Sequence, residues 1–494
     1  MQEIIKKYYQ IREEIFSLTY AGWVLNFDHE TNAPEGSLDT YSKAYESIYR
    51  LVYEKSYSPE RLDLLKKIFQ SDDSLIDEDL RCEVSKCLED YEQTLAIPKE
   101  ELIAYNVLLT KSESIWAQAR QKSDFSIFEG CLQTIIDTKR KFLNYLAKPN
   151  LSGYDIYLDA YEKGLTTKDY DHFFDLIKKE LVPFILKKVH NFKNVDHLFT
   201  KKTYPVAQQA QFSNYLAKVL GYDLTRGEIR QSVHPFTSGI TSKDTRITTR
   251  FLPHNFESNI FSTMHEMGHA IFEQQINPAF DGTILHSVTN MALHESQSRF
   301  LENIIGRGQS FWIAHYPQLI KVFKNLKSIS MEDFLTYINT PKLSKIRIEA
   351  DEFTYPLHVL VRYEIEKVIF STDIKASQLP KLWNDLYLKY LGVEITNDQE
   401  GILQDIHWAG GSFGYFPTYA LGSAFASQFY QALAREIDVE KALKENNYSI
   451  ISKWLKEHIH QFGASKNSKE IILGACGENF NPQYYLDYLK GKFH

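Results

Sequence analysis

The stretch FSTMHEMGHA, Phe261 to Ala270, places two histidines four residues apart, with a glutamate directly after the first. On a helix, positions i and i+4 lie on the same face, so His265 and His269 can direct ring nitrogens at one metal ion. Glu266 lies one residue further round the helix, where its carboxylate can deprotonate a metal-activated water without being a ligand. The stretch therefore predicts a helix that carries a catalytic zinc site.

The context of this motif separates a metal site from two histidines that merely share a helix face. An apolar stripe predicts that the helix is held in a core with the histidines beside it; the stripe consists of Phe261, Met264, Gly268 and Ile271. A glycine inside a helix lowers helix stability and is expected where another element packs closely. Gly268 therefore predicts a close contact at the motif.

A catalytic zinc site has three protein ligands and one open position, so a third ligand is expected downstream. A helix predicted over 290–305 contains LHESQSRFLEN and offers Glu295 and Glu302. Glu295 could instead form an i,i+4 salt bridge with Arg299. Spacing alone leaves these alternatives open. Gly306 is predicted to end this helix in the left-handed conformation.

Composition and charge argue against several classes of partner. The 494 residues are 43% hydrophobic and 24% charged, which is the balance of a globular protein. A formal charge of −8 gives no reason to expect nucleic acid, which requires clustered lysine and arginine. We find no apolar run near the roughly 18 residues that cross a bilayer and no secretory signal pattern. We therefore expect a cytoplasmic protein with neither nucleic-acid nor membrane partners.

Helical periodicity dominates the chain. Residues 1 to about 200 have apolar residues at spacings of three and four, which predicts helical hairpins. The segment SGITSKDTRITTRFLPHN at 238–255 instead has the β-branched alternation of a short strand or hairpin. A further helix is expected over 341–370, where Pro356 must kink or interrupt it. The glycine-rich segment that follows GILQDIHW predicts irregular structure wrapped around a site.

Five motifs in order give the chain a family resemblance. They are DTRIT at 244–248, HEMGH at 265–269, HESQ at 294–297, IRIEAD at 346–351 and GILQDIHW at 401–408. With FDHETNAPEGS near the N-terminus and GYFPTYALG after GILQDIHW, they cover nearly the whole chain. The chain resembles the carboxypeptidase Taq family of metallocarboxypeptidases, although FDHETNAPEGS lacks the Trp-Asp start that is usual there.

The resemblance implies a mostly α-helical fold with a deep active-site groove and a small β-sheet next to the HEMGH helix. We expect one domain over 1–494, with a helical N-terminal half of about 1–200 and the site within about 234–425. The resemblance also implies a homodimer that removes single residues from the C-termini of peptides.

Carried over residue by residue, the resemblance names His265, His269 and Glu295 as metal ligands and Glu266 as the general base. It thereby favours Glu295 over Glu302 as the third ligand. We expect one zinc ion per chain, and cobalt also suits nitrogen and carboxylate ligands.

A carboxypeptidase must recognise a free carboxylate, which a guanidinium can bind through two parallel hydrogen bonds. Arg347 in IRIEAD and Arg246 in DTRIT are the candidates. Each has a structural alternative, an ion pair with Asp351 for the first and with Asp244 for the second. The DTRIT strand could also present an exposed edge, next to the metal helix, to an extended peptide.

Four further residues are predicted to support the site. Tyr419 and His407 are candidate hydrogen-bond donors to the substrate, unless their hydrogen bonds are satisfied within a packed loop. Asp351 and Asp405 are candidate carboxylates that orient the metal-binding imidazoles. Sequence alone cannot assign these roles further.

Two other functions are compatible with the metal motif. An endo-oligopeptidase would use the same chemistry without a carboxylate anchor, and a peptide-binding or scaffold protein would hold an inert metal. A structural zinc site is normally closed by four protein ligands, often cysteines, and none of the four cysteines lies near HEMGH. The arginine-bearing motifs favour a carboxypeptidase.

Overall fold

The chain folds into a mostly α-helical body with a small sheet beside the HEMGH helix, which confirms the predicted fold class. The computed structural model describes residues 1–189, 202–287, 290–341 and 343–493. Within these ranges, no helix combines the length and the apolarity that crossing a membrane requires.

Two of the N-terminal helices begin at side-chain caps, and this region has an apolar cluster of its own. Ser58 accepts a hydrogen bond from the amide of Arg61 (3.2 Å), and Asp77 accepts one from the amide of Leu80 (2.8 Å). The N-terminal cluster consists of Tyr8, Leu64, Leu65, Ile68, Ile76, Leu80, Val84 and Cys87. The helices are α1 (Gln2–Thr31), α2 (Leu38–Ser56), α3 (Pro59–Phe69), α4 (Glu78–Ala96), α5 (Lys99–Lys122) and α6 (Ser126–Leu146).

The sheet precedes the HEMGH helix in the chain. It follows α7 (Asp155–Tyr161), α8 (Thr167–Leu176), α9 (Val182–Lys188) and α10 (Val206–Leu220). Its strands are β1 (Ile229–Gln231), β2 (Thr237–Thr241) and β3 (Asp244–Thr249). β3 lies in the centre, parallel to β1 and antiparallel to β2. The expectation that DTRIT presents an exposed edge is therefore wrong, because this motif forms the central strand and is paired on both sides.

Two helices carry the metal motifs. α11 (Phe256–Gln275) contains HEMGH, and α12 (Met291–Arg299) contains HESQ and continues as a π-helical segment, Phe300–Ile305. Gly306 has a φ of −69°, so the predicted left-handed cap is wrong. A Cβ at this glycine would lie 2.7 Å from the carbonyl oxygen of Glu302, so crowding rather than φ accounts for the glycine.

The IRIEAD motif lies before a helix and not within one. Arg347–Glu349 forms a single 3-10 turn, and the next helix starts at Tyr355. Pro356 occupies the first turn of that helix, where its missing N–H costs no hydrogen bond. The expected helix over 341–370, which Pro356 would kink or interrupt, is therefore wrong for the part before Tyr355, where the helix begins. The helices of this region are α13 (Gln309–Val322), α14 (Met331–Asn339), α15 (Tyr355–Ser371) and α16 (Leu379–Leu391).

The C-terminal helices complete the main core, which surrounds the metal motifs. The segment 401–415 forms a series of turns, as predicted, and leads into a long buried helix. That helix packs against α12, and both contribute buried side chains to the main core together with α11. The helices are α17 (Phe416–Glu436), α18 (Val439–Lys444), α19 (Tyr448–His458), α20 (Ser468–Cys476) and α21 (Gln483–Lys492).

Candidate metal centre and substrate site

Two glycines allow the helices of the candidate metal centre to pack closely. A Cβ at Gly268 in α11 would lie 2.4 Å from the carbonyl oxygen of Gln297 and 2.5 Å from Cα of Ser298 in α12. A Cβ at Gly422 in α17 would lie 2.7 Å from Cβ of Glu295. The close contact predicted at Gly268 is confirmed. α12 is held between α11 and α17, which fixes Glu295 relative to HEMGH.

Gly268→Ala is expected to lower the free energy of unfolding by about 1–3 kcal/mol, because the added methyl group meets backbone atoms that cannot rotate away. Gly130 in α6 offers a matched control, since nothing lies within 4 Å of a Cβ built there. Alanine at that helix position should stabilise the protein by about 0.5–1 kcal/mol. Thermal unfolding measures both changes. Equal melting temperatures of the two variants would contradict the close contact between Gly268 and α12.

His265, His269 and Glu295 direct three donor atoms at one point. Nε2 of His265 lies 3.7 Å and Nε2 of His269 lies 3.5 Å from Oε2 of Glu295. Bonds of about 2.1 Å in tetrahedral geometry separate two ligand atoms by roughly 3.4 Å, so this spacing fits a divalent cation. In the described part of the chain, this is the one group of three His, Cys, Asp or Glu side chains whose donors lie within 4.8 Å of one another.

Glu302 and Arg299 contact His265 and Glu295 on the atoms that face away from the common point. Nδ1 of His265 lies 2.9 Å from Oε2 of Glu302, which leaves Nε2 directed at the common point. Arg299 donates from Nε to Oε1 of Glu295 (2.7 Å) and from Nη1 to Oε2 of Glu302 (3.3 Å). The i,i+4 ion pair of Glu295 is therefore present, and the same carboxylate also faces the imidazoles. Glu302, the other candidate ligand, contacts Nδ1 of His265 and not Nε2.

Burial and nearby charges set the ionisation of these groups. Burial lowers the pKa of His265, but Glu295 and Glu302 together raise it to about 9, so a cation at Nε2 has to displace a proton. Burial and a neighbouring histidine lower the pKa of His269 to about 3. Burial raises the pKa of Glu295, but Arg299 and the imidazoles reverse this and hold it well below its usual value. His269 and Glu295 are therefore in the ionisation states that metal ligands require.

Glu266 follows His265 in the chain, and the sheet holds its carboxylate. Oγ1 of Thr237 in β2 donates a hydrogen bond to Oε2 of Glu266 (2.7 Å). Burial raises the pKa of Glu266, although His265 and the Thr237 hydroxyl oppose this. A carboxylate with a raised pKa is suited to accept a proton from water near neutral pH. Sequence analysis did not find Thr237, because the contact joins a strand to a helix across 29 residues.

Comparison with known proteins decides the family. The model of the family described as Carboxypeptidase Taq (M32) metallopeptidase matches residues 7–493. The chain belongs to the carboxypeptidase Taq family. It is a metal-dependent carboxypeptidase, which confirms the predicted family and activity.

Relatives of this carboxypeptidase match it over almost their whole length. Carboxypeptidase 1 of Bacillus subtilis is 37% identical over 490 residues, which cover 99% of this chain and 97% of the relative. Thermostable carboxypeptidase 1 of Pyrococcus furiosus is 34% identical over 496 residues, with 100% and 98% covered. The crystal structure of the M32 carboxypeptidase from Deinococcus radiodurans has a TM-score of 0.95 at 28% identity and covers 99% of each chain.

In the carboxypeptidase, Arg347 belongs to a buried cluster with an excess of positive charge. Arg347 donates from Nη2 to Oδ1 of Asp405 (2.9 Å) and from Nη1 to the hydroxyl of Tyr355 (3.0 Å). Arg362 is fully buried and donates from Nε to Oδ2 of the same aspartate (2.7 Å). Sequence analysis missed Arg362, although a lone arginine within the apolar run PLHVLVRY was a usable indication. Two guanidinium groups thus share one carboxylate.

Arg246 lies in the sheet with its charge balanced. Nε and Nη2 of Arg246 donate to the two carboxylate oxygens of Asp244, each at 2.8 Å. The guanidinium carbon lies 4.6 Å from the ring centre of Trp23 in α1. The alternative that the sequence left open, an ion pair with Asp244, is therefore present, and it fastens α1 to β3.

Asp351 and Asp405 contact groups other than the imidazoles, which corrects the role predicted for them. Asp351 accepts hydrogen bonds from the amides of Phe353 (2.8 Å) and Thr354 (3.0 Å) at the start of α15. Asp405 binds the two arginines described above. Nδ1 of His265 is oriented by Glu302 instead. The physical reason is that IRIEAD ends in a turn, so that its aspartate accepts hydrogen bonds from the two amides directly before α15.

His407 and Tyr419 lie together beside Arg347. Nε2 of His407 is 3.4 Å from the hydroxyl of Tyr419, and the guanidinium carbon of Arg347 lies 5.1 Å from the Tyr419 ring centre. Burial lowers the pKa of His407 to about 4 and raises that of Tyr419 well above its usual value. The imidazole is therefore neutral and the phenol keeps its proton. The turns before α17 bring together three of the four residues predicted to contact substrate.

Proposed function

We propose that His265, His269 and Glu295 bind one divalent cation per chain, and that zinc is the native ion. Two imidazole nitrogens and a carboxylate oxygen suit zinc and also cobalt, and three protein donors leave a position for the reaction. When bound, the cation supplies a Lewis acid that polarises the scissile carbonyl and lowers the pKa of a nearby water. The observation that carries the proposal is that donor atoms of His265 and His269 on α11 and of Glu295 on α12 lie within 4.8 Å of one another, beside Glu266.

Glu266 is the general base in this proposal. Its carboxylate accepts a proton from the attacking water while the water oxygen bonds to the scissile carbonyl carbon. The same carboxylate then gives the proton to the nitrogen as the C–N bond breaks. The hydrogen bond from Thr237 keeps Oε2 in a fixed direction throughout. The products are a shortened peptide and one free amino acid.

Tyr419 and His407 are proposed as donors to the substrate oxygen that becomes negatively charged. The support is that the phenol of Tyr419 keeps its proton and that a neutral His407 has one N–H to donate. His407 lies in the turns that lead into α17, and Tyr419 lies in the first turn of that helix, which packs against α12.

Arg347 is proposed as the anchor of the substrate carboxylate in preference to Arg246. Arg347 and Arg362 together carry one positive charge more than Asp405 compensates. The charge of Arg246 is already balanced by its bidentate pair with Asp244. An additional carboxylate is therefore more favourable beside Arg347.

Arg347→Lys is expected to lower kcat/KM for a tripeptide by about tenfold to a hundredfold, because lysine keeps the charge but loses the fork of hydrogen bonds. The C-terminal amide of the same tripeptide should be affected much less. Arg246→Lys is the matched control and should leave the preference for the free acid unchanged. If Arg246→Lys is instead the variant that loses this preference, Arg246 is the anchor.

A direct test of the proposed function compares a tripeptide with its C-terminal amide, before chelation, after chelation and after reloading with zinc or cobalt. We expect the free acid to lose its last residue, the amide to be cut far more slowly, and the chelator to abolish turnover until metal is returned. Equal cleavage of acid and amide would favour an endo-oligopeptidase. Turnover that persists after complete removal of metal would reject the proposed cation site.

We also propose that the carboxypeptidase is a homodimer, that it is cytoplasmic and that residues 1–494 form one domain. The resemblance to the family supports the first and third of these, and the sequence pattern supports the second. Light scattering of the purified protein measures the mass of the assembly, and a mass of one chain would contradict the dimer.

A further inference from the structure

A groove runs along β2 away from the metal centre. It has a volume of about 660 Å³ and lies between β2 on one side and α1 and α2 on the other. Its wall begins at Thr237, which holds Glu266, and passes Gly239 to reach Glu273 and His286. The groove therefore extends from the residue that holds the proposed base to a second group of polar side chains, which the proposed reaction does not use.

Glu273 places a buried carboxylate at this groove. Its residue is only 6% exposed, and a Cβ at Gly239 would lie 1.5 Å from Oε2, so the glycine makes room for the carboxylate against the strand. Oε1 lies 3.2 Å from Nε2 of His294. The two arginines of the groove are engaged elsewhere, Arg12 with Glu83 and Arg61 with a backbone carbonyl. They do not neutralise Glu273.

His286 adds an acceptor without a partner. It is 6% exposed, and among the described residues its Nε2 has no hydrogen-bond partner. Nδ1 lies 3.3 Å from Oδ1 of Asp281, and burial lowers the pKa of the ring. Neither ring nitrogen has a hydrogen-bond partner among the described residues, and a neutral ring with its proton on Nδ1, the nitrogen nearer this carboxylate, presents a lone pair at Nε2. One carboxylate and one lone pair thus line the same end of the groove.

The distance along α11 sets the length of peptide that reaches this end. Glu266 and Glu273 are seven residues apart on one helix, which corresponds to roughly 10 Å of rise. An extended peptide advances about 3.4 Å per residue, so about three residues span the distance. A tetrapeptide with its last peptide bond at Glu266 brings its N-terminus to Glu273 and His286.

We propose that Glu273 and His286 form a subsite for an ammonium group of the peptide substrate. The proposal rests on the proposed function, because it takes the scissile bond to lie at Glu266. An ammonium group carries three donors and one positive charge, which matches a carboxylate and an imidazole lone pair. Two sources supply it, the N-terminal amine of a tetrapeptide and the side chain of a lysine at the same place.

The test compares kcat/KM for tetraalanine, N-acetyl-tetraalanine and Nα-acetyl-Lys-Ala-Ala-Ala. Acetylation is expected to lower kcat/KM by about tenfold to a hundredfold, the range for a charge-assisted hydrogen bond. Glu273→Gln should lower kcat/KM for tetraalanine to the level of N-acetyl-tetraalanine. For N-acetyl-tetraalanine, kcat/KM of the variant should stay within about twofold of that of the unaltered enzyme. If kcat/KM for the lysine peptide returns to the level of tetraalanine, the subsite accepts both ammonium sources. If it stays at the level of N-acetyl-tetraalanine, the subsite accepts the N-terminal amine alone.

Asp90→Asn is the matched control, since Asp90 is another carboxylate of the same groove and should leave the ratio between free and acetylated peptide unchanged. Equal kcat/KM for free and acetylated tetraalanine in the unaltered enzyme would overturn the proposal. An equal loss for both peptides in Glu273→Gln would also overturn it, because that pattern indicates a purely structural role.

Calorimetry with the Glu266→Gln variant gives a readout that needs no turnover. Tetraalanine is expected to bind this variant at least about tenfold more tightly than its acetylated form. If the unaltered enzyme cuts none of the peptides while this difference in binding holds, the proposed function fails and the subsite stands. If peptides are cut but both forms bind equally, the subsite alone is rejected.

Discussion

Glu266→Gln is expected to lower kcat/KM by about 10²–10⁴-fold while the protein keeps its bound metal. Glutamine has nearly the same shape and can still accept the hydrogen bond from Thr237, but it cannot take a proton from water. The three donors on His265, His269 and Glu295 are left intact by this change. Peptide cleavage assays, combined with a direct measurement of bound metal, test both halves of the expectation.

Thr237→Val is the companion variant, because it removes the hydroxyl that lies 2.7 Å from Oε2 of Glu266 and preserves the branched shape of the side chain. We expect a smaller loss of kcat/KM, about tenfold, since one hydrogen bond is removed and the proton acceptor remains. Full activity of Glu266→Gln would refute the assignment of the base. Loss of metal from that variant would indicate that Glu266 is a ligand.

Glu295→Gln is expected to lower metal affinity more than Glu302→Gln does, because it removes the one negative charge among the three donors. Glu302→Gln should lower affinity by about 10–100-fold, the range for a residue that only orients a ligand, since it contacts Nδ1 of His265. Arg299 keeps one carboxylate partner in each variant. Competition with a chelator of known affinity measures both changes, and thermal unfolding verifies that each variant is folded.

The order of the two effects is the decisive result. If Glu302→Gln releases metal more completely than Glu295→Gln, the assignments are exchanged and Glu302 is the ligand. This outcome would return to the alternative that spacing alone leaves open, because both glutamates lie on one continuous helical run.

Local spacing was sufficient to predict the helix that carries the two candidate histidines. The i,i+4 histidines and Gly268 depend on the geometry of a single helix, and α11 forms as its apolar stripe indicates. The order of the five motifs was sufficient for the family. Arg347, His407 and Tyr419 were each predicted to contact substrate, and the structure places the three side chains together.

Contacts between distant segments could not be predicted from spacing. The position of DTRIT in the centre of the sheet depends on β1, a three-residue strand that carries little pattern of its own. Asp351 was a candidate because metal-binding imidazoles generally need a carboxylate to orient them, whereas it lies in a turn four residues before the helix that begins at Tyr355. The contact of Glu302 with His265 joins two helices and has no local indication.

The close packing of α12 between α11 and α17, at Gly268 and Gly422, has a thermodynamic consequence. The three donor side chains come from two helices that are packed within the main core, so a bound cation acts as a crosslink between buried helices. A cation at 100 times its dissociation constant that binds only the folded state adds about 2.7 kcal/mol to the free energy of unfolding. With the proposed site occupied, metal therefore raises the equilibrium stability of the fold as well as supporting catalysis, and a chelator is expected to lower both.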